Sequence, residues 1–133
     1  AATQCCAYLN ERGYNPILIT FGAAPCLNDT AVNEFNLRVH TIYRFEHGSD
    51  FVPVLPQALP WLRHVGQRLY LPNSCKKIWY GASGLKYHAD RALGYALAGI
   101  KASSWQRALL FAGKEMLNDH SMSLYENHLK ECL

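Results

Sequence analysis

Asp50 and His120 are the two side chains whose types and order suit proton transfer. A carboxylate can hold an imidazole in one tautomer, so that the other ring nitrogen takes a proton from a nucleophile. The local pattern around Asp50 fits an orienting group. Thr41 to Phe45 alternate β-branched, aromatic and charged residues, as a half-buried strand does. Gly48-Ser49 supply turn chemistry. Asp50 is therefore expected just past the end of a strand, the edge where open α/β sheets place their working groups. Pro53 and Pro56 are expected to hold their predecessors extended. An Asp in such a place more often only caps a turn, so the rest of the chain must support a catalytic role.

Rival chemistries find little in the sequence. The chain has 133 residues and a net charge of +3. Its basic residues are scattered, with only Lys76-Lys77 adjacent, so no stripe is expected to follow a nucleic-acid backbone. No His-Glu-x-x-His or Cys-x-x-Cys occurs, and no metal or organic cofactor is expected. Gly22-Ala23-Ala24-Pro25-Cys26 lacks the glycine-rich turn of a dinucleotide site. The five cysteines are Cys5, Cys6, Cys26, Cys75 and Cys132, with no metal or disulfide spacing. Cys5 and Cys6 are expected as buried thiols, and Cys26 as structural. His40 and His47 are expected on the surface or in turns, and His88 and His128 exposed on helices. His64 is expected to satisfy a backbone group beside the Asp50 segment. No apolar run reaches the roughly 20 residues of a membrane span.

The elements that must position the pair form an α/β pattern. Residues Ala1 to Arg12 read as a helix with a small-residue face, Ala1, Ala2, Cys5, Cys6 and Leu9. The apolar run Ile17 to Phe21 reads as a buried parallel strand. A short helix is expected around Thr30 to Asn36, capped by Asp29 or Thr30. Gln67 to Leu71 reads as a strand and Lys77 to Tyr80 as its antiparallel partner. Two helices are expected at Tyr87 to Ile100 and Ser103 to Leu117. A last helix follows His120, with Met122, Tyr125 and Leu129 as its buried face. Nothing caps the helix at Ala1, and a parallel sheet needs further strands. The chain is thus expected to be one incomplete domain, 1–133, whose front lies upstream.

These residues together resemble the C-terminal half of a class 3 (fungal-type) lipase. The similarity is carried by Ile17-Leu18-Ile19-Thr20-Phe21-Gly22-Ala23-Ala24-Pro25 and Tyr43-Arg44-Phe45. It continues through Ser49-Asp50-Phe51-Val52-Pro53-Val54-Leu55-Pro56, Arg63-His64-Val65-Gly66 and His120-x-Met122-x-x-Tyr125. The resemblance implies an α/β-hydrolase fold, an ester or acylglycerol substrate and work at a lipid–water interface. It also implies secretion. The triad acid would be Asp50 and the general base His120, in the chain order Ser, Asp, His. The elbow G-x-S-x-G is missing, and Ser83 in Tyr80-Gly81-Ala82-Ser83-Gly84 lacks its spacing. The nucleophile is therefore expected on an upstream segment or a second chain, and this chain alone is expected to be inactive. The alternative is a non-catalytic remnant or binding module of the same fold.

Overall fold

A computed structural model describes residues 2–48, 50–54, 61–74, 76–81, 84–100 and 120–132, with side chains of the helix ending at residue 100 described to residue 96. The elements are α1 (Ala2–Glu11), β1 (Ile17–Phe21), α2 (Asp29–Arg38), β2 (Thr41–His47), a 3-10 turn (Val52–Val54), β3 (Gln67–Leu71), β4 (Trp79–Tyr80), α3 (Gly84–Ile100) and α4 (Met122–Cys132). The expected helix at Ser103 to Leu117 lies outside the described residues, as do Cys75 and Pro56.

The strands form one mixed sheet in the order β1-β2-β3-β4, the first three parallel and β4 antiparallel. This is an α/β arrangement with an antiparallel edge. Pairing runs from Ile17 opposite Thr41 to Phe21 opposite Phe45, and on to His47 opposite Leu71. The three parallel strands thus end at one edge.

One face of the sheet carries the apolar core. Leu18 and Ile42 meet Cys6 of α1, Phe35 and Val39 from the α2 region, and Val65. Asn28 caps α2 by accepting from the Ala31 N–H, one residue before the expected cap. Gly66 turns the chain into β3 at φ +70, where a Cβ would fall 2.2 Å from Ile42 Cγ2. Two expectations are corrected here. Cys5 is exposed and only Cys6 is buried. Ile17 and Ile19 are 64% and 50% exposed, because they lie on the sheet face opposite the core, where Tyr43 of the inner strand is exposed as well.

Helix α3 docks through polar groups. Ala89, Ala92 and Ala96 are exposed. The buried residues are Tyr87, Asp90 and Arg91. The Tyr87 hydroxyl donates to Glu46 Oε2 at 2.9 Å, and Arg68 Nε donates to Glu46 Oε1 at 3.1 Å. Arg44 pairs with the same carboxylate, which is fully buried. Asp90 accepts the N–H groups of Asn73 at 2.9 Å and Ser74 at 3.1 Å, tying down the turn after β3. The alternating charges of β2 explain this choice: Arg44 and Glu46 point to one face and need ionic cover.

Removing Glu46 leaves the buried Arg44 without its carboxylate. Glu46→Ala is expected to cost about 3–5 kcal/mol, read by urea unfolding, because a buried charge loses its partner.

Candidate active site

Strand β2 ends at His47, and the chain reverses at once. The Gly48 N–H donates to Leu71 O at 2.7 Å and the Asp50 N–H to His47 O at 2.8 Å. Asp50 therefore stands at the carboxyl edge of the sheet and is fully buried. Its Oδ1 accepts the Val52 N–H at 3.0 Å, a short turn closed by the residue's own side chain. Val52 to Val54 make one 3-10 turn, so the segment is not extended before Pro53 as expected. The carboxylate's own hold on Val52 favours the tighter path. His64 fastens this turn by donating from Nε2 to Pro53 O at 2.7 Å, as anticipated.

His120 reaches Asp50 from 70 residues away. Its Nδ1 lies 2.9 Å from Asp50 Oδ2. A carboxylate can only accept, so Nδ1 carries the proton and Nε2 is left with a free lone pair. The imidazole side chain is 39% exposed, whereas the carboxylate is sealed. Such a pair can take a proton at Nε2 and stabilise the resulting imidazolium. Among the described residues, no serine hydroxyl or cysteine thiol hydrogen-bonds His120. Ser83 lies outside them, and Cys26 is exposed.

Two further residues shape the pair, and sequence reasoning missed their roles. Tyr125 is 1% exposed, and its hydroxyl donates to the same Oδ2 at 2.7 Å while accepting the His47 N–H at 3.0 Å. Helical spacing had assigned Tyr125 only to packing. The signal lay in the residue type, since a buried Tyr nearly always finds a polar partner. Gly22 ends β1 at φ +58. A Cβ there would sit 2.5 Å from both Asp50 Oδ2 and His120 Nδ1. Backbone must pass this close for the pair to assemble, and only Gly lets it.

The surroundings of α4 revise three assignments. His47 is 8% exposed, not a surface residue, and its ring packs against Tyr125 and His128. His128 is correspondingly half-buried. Met122 is 57% exposed and does not join Tyr125 on the buried face. The helix is held at its far end, where Lys76 pairs with Glu131 at 3.4 Å and Cys132 Sγ donates to Lys76 O at 3.2 Å.

Burial, reinforced by the charge of His128, pushes His47 down to about 4. Burial and then Arg44 do the same to His64, also to about 4. Burial and the Asp50 charge raise the Tyr125 phenol, which stays a donor. Among the described residues, no three His, Cys, Asp or Glu side chains are placed to hold a metal ion.

The chain matches no protein-family profile, no curated protein and no solved structure. The geometry stands alone.

Two outcomes are expected. Gly22→Ala should cost about 1–3 kcal/mol by thermal or urea unfolding, since the new methyl must push the pair apart from a strained φ. Stability should fall with acid. His47 and His64 bind protons more weakly folded than unfolded, so unfolding takes up protons between pH about 6.5 and about 4. Their contribution is full above that window and lost within it, at up to about 1.4 kcal/mol per pH unit for each group. Urea unfolding at pH 7, 5.5 and 4.5 reads this slope, and His64→Gln should flatten it.

Proposed function

We propose that this chain supplies the acid and the base of a Ser-His-Asp relay to a carboxylic ester hydrolase of the class 3 lipase type. Asp50 orients His120, and His120 acts as general base toward a serine outside these 133 residues. The reading is supported above all by the 2.9 Å contact between His120 Nδ1 and a sealed carboxylate at the carboxyl edge of a parallel sheet. The donor set is also right for it. Val52 N–H, the Tyr125 hydroxyl and the imidazole all donate to Asp50, so the carboxylate is held where it orients the ring and stabilises the positive charge that the imidazole gains.

The sheet offers a place for the nucleophile. Strand β1 leaves its outer edge without a described partner, and Gly22 brings its carboxyl end against the acid–base pair. A further parallel strand on that edge would end beside His120 Nε2. A serine at the turn following such a strand meets the base within one strand spacing, about 5 Å. The substrate class, an acylglycerol or related ester met at a lipid–water interface, follows from the resemblance alone.

The test has two arms. The purified chain should not hydrolyse short p-nitrophenyl esters. Combined with a polypeptide that carries the proposed nucleophile, it should give a serine that a fluorophosphonate probe labels, with turnover falling at least about 10⁴-fold in His120→Ala. Ester hydrolysis by the 133-residue chain alone, lost in His120→Ala, would contradict this division of labour. Absence of label and of turnover in the combined protein would make the fold a non-catalytic one.

A further inference from the structure

Adjacent residues of α3 hold two loops at the same sheet edge, each by its backbone. Asp90 takes N–H groups from the turn after β3. Arg91 gives through Nη2 to the main-chain carbonyl of Asp50. We infer that Arg91 is a positioning residue for the acid, setting where the Asp50 carboxylate stands by gripping the peptide that carries it. The inference rests on the Asp50–His120 reading of the site.

The argument starts from cost. Arg91 is 4% exposed. No carboxylate among the described residues lies within ion-pair distance of it, and its Nη1 has no hydrogen-bond partner. A buried guanidinium without a carboxylate is expensive, and an apolar side chain of similar volume packs there without that cost. Fold stability alone therefore does not call for an arginine. What the charge does gain is a charge-assisted bond to one particular carbonyl, with a second from Nη2 to the Tyr95 hydroxyl at 2.8 Å. The rings of Tyr87 and Tyr95, 5.5 and 5.7 Å away, confine the guanidinium.

That carbonyl is the polar group of Asp50 that the other bonds to this residue leave unheld. On the N-terminal side of Asp50, its N–H is bonded to His47 O. On the side-chain side, Val52, Tyr125 and His120 hold both oxygens. Arg91 anchors the remaining polar group of the residue. With all of them fixed, the carboxylate has one position, and His120 finds it there. A displacement of about 1 Å at such a group is enough to lose the productive contact.

The readout is the Nδ1 proton of His120 in the intact chain, followed by proton NMR in the parent, Arg91→Met, Arg91→Lys and Asp50→Asn. In the parent this proton is hydrogen-bonded to Asp50 and is expected to exchange slowly. Its exchange should accelerate at least about tenfold in Arg91→Met and about threefold in Arg91→Lys, which keeps the charge but not the planar fork. A merely structural Arg91 lowers the melting temperature and leaves the exchange rate of the folded protein alone. Should Arg91→Met not fold, Arg91→Lys decides, and a rate equal to the parent's overturns the proposal. Asp50→Asn separates the two readings. If that variant keeps the slow proton, the acid–base reading fails and this inference goes with it. If it loses the proton while folded Arg91→Met keeps the parental rate, only the role of Arg91 is lost.

Discussion

A sealed carboxylate that only accepts hydrogen bonds is the constraint on which the rest of this structure turns. Asp50 has no water to solvate it, so protein donors must surround it. They come from four places: the backbone at Val52, the Tyr125 hydroxyl, the His120 ring and, at its own carbonyl, Arg91. Val52 belongs to the Asp50 loop itself, whereas His120 and Tyr125 arrive on one segment and Arg91 on another, and the fold must bring those two in. The result is a charge held so firmly that the imidazole above it has one tautomer and one orientation.

The arrangement explains which parts of the molecule are unusual. Helix α3 turns its charges inward because the sheet face beneath it carries Arg44, Glu46 and Arg68 rather than aliphatic residues. Helix α4 is fixed at both ends, by Tyr125 against His47 and by Glu131 and Cys132 against Lys76. Neutral His47 and His64 serve the same purpose from within. The His64 ring gives the Asp50 loop a hydrogen bond at Pro53 O while adding no charge, and the His47 main-chain N–H gives one to the Tyr125 hydroxyl. The apolar core lies elsewhere, under α1 and α2, so stability and site are built on different halves of the sheet.

Much of the fold is legible along the chain. The strand Ile17 to Phe21 and the strand Gln67 to Leu71 fall where alternation and apolar runs put them, and so do the helices around them. Asp50 and His120 were legible as residue types suited to proton transfer, and the structure brings the two side chains together. Less legible were the burial of His47 and the exposure of Met122, because a residue's neighbours in sequence do not reveal which element covers it. The exposed Ile17 and Ile19 misled for the same reason: an apolar run does not show which face of its sheet is covered.

By itself, the sequence determined periodicity, turn positions and the chemical types available at the sheet edge. These depend on residues a few positions apart, within reach of local sterics and capping. Only the tertiary structure decided that His120 meets Asp50 across 70 residues, that Tyr125 meets it across 75 and that Arg91 holds its carbonyl across 41. Those contacts follow from strand register, from a glycine thin enough to let the pair close at Gly22, and from the way each helix lies on the sheet. None of these is written in the spacing of the residues that meet.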